Sequence, residues 1–163
     1  KVRILKPEKG TIKIFNTDIT QLSEKKLDKF RGQHIGLVFQ KANFISSLNV
    51  LENIELASWL ATKNKQTEKA KEILSYLDLS AHLYKMPTEL SVGQQQRVSI
   101  ARAIINHPKL ILADEPTSNL DDENCFNVAT LLETTAKKVN AALIIVTHDS
   151  RLKDKYQNSI QLK

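Results

Sequence analysis

The order of apolar and polar residues predicts three buried strands and one half-exposed strand. After Gly10, the stretch GTIKIF alternates polar and apolar residues, which predicts a short strand with one exposed face. The stretch HIGLVFQ groups its apolar residues and predicts a buried strand that ends at Gln40. Further along, LILA and ALIIV are unbroken apolar runs, typical of strands in a parallel sheet that is covered on both faces.

Helical periods separate these strands. The stretch SEKKLDKFR predicts a short polar helix. A second helix is predicted from about Asn49 to Leu60, because Asn49 can cap it and Glu52 follows at the capping-box position. A third begins at Thr67. Between LILA and ALIIV, apolar residues recur at helical spacing and predict a strand–helix–strand unit, namely Phe126, Ala129, Leu132, Ala136 and Val139.

Together these elements predict an α/β fold with a mostly parallel sheet. The segment 41–89 has little strand signal and is expected to form a helical lobe inserted into that fold. Residues 1–40 and 90–163 then supply the two parts of the core on either side of the lobe.

Composition narrows the class of protein. A length of 163 residues with 41% hydrophobic residues fits one globular domain, and its apolar runs are far shorter than a membrane span. The net charge is +6, but the lysines are mixed with acids and are not interleaved with aromatics, so a solvated surface is expected rather than a nucleic-acid partner. Cys125 is the only cysteine, which excludes an intrachain disulfide and favours a reducing, cytosolic setting.

The stretch LSVGQQQRVSIARAI has the features of a phosphate-binding helix start. A helix that begins near Val92 exposes free backbone N–H groups at its positive end. Ser91 adds a hydroxyl donor, and Gly93 lets an anion approach the backbone. The alternative is an ordinary capped amphipathic helix, and Ser91 and Gly93 on their own favour that alternative.

Two acids follow a buried strand in LILADEPTSNLD. Asp114 and Glu115 come to the carboxyl end of the strand, the edge at which open α/β sheets bind ligands. One acid there can hold Mg²⁺ while its neighbour polarises an attacking water. His148 ends the strand of ALIIVTHDS at the corresponding level, and Gln40 ends another strand. The alternatives are a solvated acid pair opening a turn at Pro116 and a structural histidine.

Four of these segments occur together in one known family. HIGLVFQ, LSVGQQQRVSIARAI, LADEPTSNLD and IIVTHD have the order and spacing of an ABC transporter ATPase domain, which has a P-loop NTPase fold. They resemble its Q-loop, signature motif, Walker B with D-loop, and switch histidine. ADEPTSNLD and GQQQRV are most similar to exporters of the lipoprotein-releasing, macrolide-efflux and cell-division type.

The resemblance implies ATP and Mg²⁺ as cofactors and gives the acids their roles. It makes Glu115 the catalytic base, His148 the switch histidine and Gln40 the Q-loop glutamine. It makes Asp114 the Walker B aspartate, which holds the metal together with Gln40.

The resemblance also implies contacts with nucleotide and partners. Ser91, Gly93 and Gln94 become the signature residues, and Asp121 becomes the D-loop acid. In this family two such domains pair head to tail and bind a transmembrane permease. The implied location is cytoplasmic, peripheral at the inner face of the cell membrane.

Two departures from the family pattern affect the functional hypothesis. Val92 stands where the family usually has glycine, and these 163 residues contain no G-x-x-x-x-G-K followed by Ser or Thr. By the family layout that Walker A loop precedes Lys1 and opens a helix that KVRILKP finishes. The expectation is an exporter ATPase domain that lacks its N-terminal portion and is inactive alone.

Three other functions share parts of this sequence pattern. The main alternative is a non-catalytic docking module without its own phosphate loop. A chromosome-maintenance ATPase is disfavoured, because the segment between Gln40 and Ser91 is too short for a long coiled coil. A translation-associated relative is disfavoured because it needs a second ATPase copy in the same chain.

Overall fold

The structure is a computed structural model that describes residues 9–118, 120–156 and 158–160. Its strands are β1 (Lys13–Ile14), β2 (Thr17–Asp18), β3 (Ile35–Phe39), β4 (Leu110–Asp114) and β5 (Ala142–Val146). Its α-helices are α1 (Glu24–His34), α2 (Val50–Thr62), α3 (Thr67–Tyr76), α4 (Val92–Ile104), α5 (Asp122–Lys138) and α6 (Ser150–Lys155). Short 3₁₀ turns lie at Ile19–Gln21, Ser80–His82 and Pro87–Glu89. The predicted KVRILKP helix end lies outside the described residues.

The three longer strands form one parallel sheet in the order β3-β4-β5. The last residues of the strands, Phe39, Asp114 and Val146, pair in register. The carboxyl ends of all three strands therefore meet at one edge, and the residues that follow them are brought together. This confirms the predicted α/β class with a parallel sheet.

Helices α4 and α5 cover one face of this sheet. Val38, Ile111 and Ala113 from β3 and β4 are buried there. Gly36 allows α4 to approach closely, because a Cβ at this position would lie 2.5 Å from the carbonyl oxygen of Ala103. A side chain at residue 36 would therefore push α4 away from the sheet.

The other face of the sheet departs from the prediction. Leu37 and Ile144 lie in the same row of the ladder and are 38% and 49% exposed, and Val146 is 52% exposed. The prediction that ALIIV is covered on both faces is wrong. β5 is an edge strand in the described part of the sheet, and α5 packs against only one of its sides, at Leu143 and Ile145.

The short, half-exposed strand predicted in GTIKIF is confirmed, but it covers only Lys13–Ile14 (β1). β1 forms an antiparallel hairpin with β2, in which Ile14 pairs with Thr17. Phe15 and Asn16 connect the strands with φ angles of 48° and 63°. Two consecutive left-handed residues are the geometry of the tightest hairpin turns, in which asparagine is favoured. Alternating polarity alone does not reveal that turn.

The segment after β3 is helical, as predicted. Asn49 and Glu52 form the expected capping box at the start of α2, with both hydrogen bonds 2.9 Å long. Buried Asn53 fastens the preceding loop, because its side chain accepts from the backbone N–H of Ile45 and donates to the carbonyl of Leu48. The lobe boundaries at 41–89 stay a prediction.

Helix α5 buries a slightly different face from the one predicted. Ala129, Leu132 and Ala136 are buried as expected, whereas Phe126 is 42% exposed and Cys125 takes the buried position beside it. In the part of the chain that the structure describes, no helix is both long enough and apolar enough to cross a membrane.

Candidate functional site

The structure brings the predicted base and the predicted histidine into contact. Oε1 of Glu115 accepts a hydrogen bond from the His148 backbone N–H at 3.0 Å and lies 2.7 Å from His148 Nδ1. Its Oε2 accepts from the Thr147 hydroxyl at 3.2 Å. The Glu115 side chain is only 16% exposed, whereas His148 is 90% exposed. Glu115 is therefore a fixed carboxylate and His148 an accessible imidazole.

Backbone geometry aims Glu115 at this contact. The residue directly follows β4, and its backbone N–H donates to the carbonyl of Val146 at 2.9 Å. Its φ of 48° is left-handed, a conformation that a residue with a long side chain adopts at some cost. The turn is held by the Ser118 hydroxyl, which donates to the Glu115 carbonyl at 2.8 Å. A strained residue at the end of a strand is a common feature of functional sites.

Asp114 and Gln40 lie at the same edge of the sheet. Asp114 pairs with Phe39, the residue before Gln40, and both predicted metal ligands are exposed. Within the described residues, no group of three His, Cys, Asp or Glu side chains could hold a metal ion by itself. One carboxylate and one amide oxygen fit Mg²⁺ that arrives with phosphates, because Mg²⁺ in such sites takes few protein ligands.

The signature residues form the N-terminal cap of α4. The Ser91 hydroxyl accepts from the Gln94 backbone N–H at 3.3 Å, and Oε1 of Gln94 accepts from the Ser91 backbone N–H at 3.0 Å. Nε2 of Gln94 also lies 3.1 Å from Nε2 of His82. The Gln94 side chain thus contacts residues of its own chain. Its contact with nucleotide stays a prediction.

Gly93 has no evident role inside the chain. A Cβ added to it would meet nothing within 4 Å, and its φ is not left-handed. Glycine also costs helix stability relative to alanine. Neither packing nor backbone conformation explains glycine at this position, and its contact with a ligand outside the chain stays a prediction. The departure Val92 lies beside it and is 69% exposed.

A different residue connects helix α4 to the turn after β4. Across 9–118 and 120–156, no hydrogen bond or ion pair connects Ser91 or Gln94 to Asp114, Glu115 or His148. The link is Gln96, whose buried amide donates to the carbonyl of Pro116 at 3.3 Å. The motif contained this glutamine, but nothing in the sequence marked it as the one that turns inward.

Asp121 caps helix α5. Its carboxylate accepts from the backbone and side-chain N–H groups of Asn124, each at 2.8 Å. These hydrogen bonds, the backbone one first, lower the pKa of Asp121. A capping role accounts for these contacts, and a D-loop role of Asp121 stays a prediction.

Two residues beside the site, Asp149 and Arg151, were not among the residues predicted from the sequence. Asp149 and Arg151 form a two-pronged ion pair directly after His148, with N···O distances of 2.7 and 2.9 Å. The Arg151 guanidinium holds the pKa of Asp149 well below its usual range, and the Thr117 hydroxyl adds a hydrogen bond at 3.1 Å. The spacing Asp-x-Arg at a helix start was the available signal.

Known proteins match the chain along most of its length. A family model described as ABC transporter matches residues 2–118. The chain is 45% identical over 150 residues to the lipoprotein-releasing system ATP-binding protein LolD 2 of Chlorobium chlorochromatii, covering 88% of this chain and 62% of that protein. It is 39% identical over 162 residues to the ABC transporter ATP-binding protein YtrE of Bacillus subtilis, covering 97% and 69%.

The chain belongs to the ABC transporter ATPase family. Solved cassettes share its fold. One is a dimeric ATP-binding cassette in a post-hydrolysis state bound to ADP and Pi, with a TM-score of 0.75 at 37% identity over 88% of this chain and 65% of that chain. Another is cbiO1 from Clostridium perfringens, part of the ABC transporter complex cbiONQ, with a TM-score of 0.78 at 31% identity over 90% and 59%.

These matches confirm the family that the four motifs predicted, including its lipoprotein-releasing subgroup. The chain spans less than two thirds of the Chlorobium ABC protein and of each of these two cassettes.

Proposed function

We propose that this chain supplies the catalytic edge and the signature surface of an ATP-hydrolysing ABC transporter subunit of the lipoprotein-releasing kind. The observation that supports this most is the contact between Glu115 and His148, 2.7 Å apart, beside Asp114 at the carboxyl edge of the sheet. A carboxylate base, a metal-holding acid and an exposed imidazole together suit in-line attack of water on a phosphate.

In this proposal each residue has a chemical task. Glu115 takes a proton from the attacking water, and its carboxylate is positioned for this by the Thr147 hydroxyl and the His148 N–H, with His148 Nδ1 2.7 Å away. His148 offers its solvent-facing ring to a terminal phosphate. Asp114 and Gln40 hold Mg²⁺, which when bound offsets the negative charge of ATP phosphates.

The proposal places Ser91 and Gly93 on a nucleotide held by a second ATPase domain. Gly93 supports this, because its missing side chain leaves open space in which nothing of this chain lies within 4 Å. Ser91 is exposed at the start of α4, where the first backbone N–H groups of a helix have no partner within the helix and can bind an anion. The partner is a homologous domain in head-to-tail orientation, and a permease holds both at the inner face of the membrane.

Pairing in the presence of ATP tests this function. The chain is mixed with the full-length Chlorobium relative whose catalytic glutamate is replaced by glutamine, so that hydrolysis does not release the pair. Size-exclusion chromatography with Mg-ATP is expected to show a heterodimer that disappears without ATP. Gly93→Asp is expected to abolish it, because a carboxylate beside the terminal phosphate repels it.

A matched control distinguishes the effect of any added carboxylate from the effect of a carboxylate at residue 93. Ser75→Asp adds one carboxylate at an exposed position of α3 and is expected to leave the heterodimer intact. ATP-dependent pairing that survives Gly93→Asp would remove the signature role. Pairing that ignores ATP altogether would favour the alternative of a docking module without nucleotide.

A further inference from the structure

Arg151 connects two loops that the sequence motifs treat as separate. On one side its guanidinium binds both carboxylate oxygens of Asp149, the residue after His148. On the other side Nη1 donates to the carbonyl of Leu120 at 3.1 Å and to Oδ1 of Asp122 at 2.7 Å. Leu120 and Asp122 are the two neighbours of Asp121. One side chain thus binds the loop before α5 and the turn before α6.

These contacts have more defined geometry and are less exposed than an ordinary surface ion pair. Single exposed pairs contribute little to stability, but a bidentate arginine–carboxylate pair has defined geometry. The side chain of Asp149 is 11% exposed and that of Arg151 is 28% exposed. The Thr117 hydroxyl and the Cys125 thiol also donate to Oδ2 of Asp149, at 3.1 and 3.7 Å. Only a planar group with several donors can satisfy both sides at once.

The Asp149 side of this connection continues to the catalytic carboxylate. The Asp149 backbone N–H donates to the Thr147 hydroxyl at 3.0 Å. That hydroxyl donates to Oε2 of Glu115, and the intervening His148 N–H donates to Oε1. From Asp122 to Glu115, an unbroken set of hydrogen bonds therefore passes through the guanidinium.

We infer that Arg151 is a positioning residue that fixes the segment around Asp121 relative to the Glu115–His148 pair. A displacement of one loop is then transmitted to the other. The catalytic meaning of this coupling rests on the proposed function, in which Asp121 lies near the partner domain. The coupling itself is a property of this chain and is measurable without nucleotide.

Amide hydrogen exchange on the chain alone tests the inference. The reporters are the amides of Asn124 and Cys125 on one side and those of His148 and Asp149 on the other, which are hydrogen-bonded to different loops. Arg151→Gln is expected to speed exchange at both sides by about tenfold or more, as for loss of a charge-assisted hydrogen bond. Arg151→Lys keeps the positive charge but lacks the planar guanidinium with its several donors. It is expected to restore slow exchange in only one of the two pairs of amides.

Two controls distinguish coupling from general loosening. Arg97→Gln removes a comparable arginine, bound to Asp78 and to the Leu77 carbonyl, and is expected to leave all four amides unchanged. Asp122→Asn is expected to speed exchange at His148 and Asp149, across the connection. Glu123→Gln removes an equal charge from the same helical turn without contacting Arg151, and is expected not to do so.

The outcome that overturns the inference is equally specific. If Arg151→Gln speeds exchange at His148 and Asp149 but not at Asn124 and Cys125, Arg151 only stabilises the start of α6. If Arg151→Gln does not fold, the comparison of Asp122→Asn with Glu123→Gln decides the question in the same way. Failure of the proposed function would instead appear as loss of ATP-dependent pairing by the unaltered chain.

Discussion

Replacing Gly93 by alanine should stabilise the protein. Gly93 is the second residue of α4, and the added methyl group would meet nothing within 4 Å. The substitution therefore adds no steric strain, while glycine within a helix costs about 0.5–1 kcal/mol relative to alanine. Because Gly93 lies in the first turn rather than at the centre, a gain of about 0.5 kcal/mol in the free energy of unfolding is expected.

Urea denaturation measures this gain, and Gly36 provides the matched control. The same replacement at Gly36 would put a Cβ 2.5 Å from the Ala103 carbonyl oxygen and 3.1 Å from its carbon. Backbone atoms cannot rotate out of the way, so Gly36→Ala should lower the free energy of unfolding by about 1–3 kcal/mol. Replacement of glycine by alanine should thus have opposite effects on the free energy of unfolding at these two positions. For Gly93→Ala, the dependence of that free energy on urea concentration should stay unchanged.

A loss of stability in Gly93→Ala would refute the reasoning. It would mean that the chain itself needs glycine there, and the argument that Gly93 leaves room for an external phosphate would fail. The reasoning is strengthened if Gly93→Ala is more stable yet pairs less well with the Chlorobium relative in Mg-ATP. A protein that keeps glycine at a cost in stability then does so for its ligand.

Three further substitutions test the loop, the base and the ion pair. Asn53→Ala should lower the free energy of unfolding by about 2–3 kcal/mol in urea, because the Ile45 N–H loses its partner. Glu115→Gln, measured by phosphate release in an ATP-hydrolysing assembly, should slow turnover by about 10²–10⁴-fold without weakening nucleotide binding. The Asp149 pKa is lowered on folding by Arg151, so its contribution to stability is complete above the unfolded value near 4 and is lost below it. In denaturation at a series of pH values, Asp149→Asn should be less stable at pH 7, and the difference should shrink below about pH 4.

Sequence patterns within a few residues were enough to predict the helices and strands next to the site. The capping pair at Asn49 and Glu52 and the cap at Ser91 are satisfied by residues three positions away, so the sequence contains both partners. The carboxyl edge was predictable for a related reason. Parallel strands end together, so Gln40, Asp114 and His148 had to approach one another once three strands were recognised.

Features that depend on distant neighbours were not predictable. Phe126 is apolar at a helical spacing, yet the smaller Cys125 occupies the buried face of α5. The exposure of Ile144 follows from the uncovered face of the described sheet, where Leu37 in the same row is also exposed, and an apolar run does not encode this. Arg151 is separated from Asp122 by 29 positions, so its second contact has no local pattern.

The two halves of the candidate site differ in how they are held, and this has a consequence for mutagenesis. Glu115 and Asp149 each bind several groups of their own chain, so truncating either side chain to alanine disturbs the folded structure as well as any chemistry. Val92 is exposed, and a Cβ at residue 93 would meet nothing within 4 Å. Substitutions at these two positions should therefore preserve the fold of the isolated chain. Defects at Glu115 should therefore be visible in the isolated chain, whereas defects at Gly93 should be visible only with a partner. A variant of Gly93 that impaired the isolated chain would contradict the view that this surface is completed by another molecule.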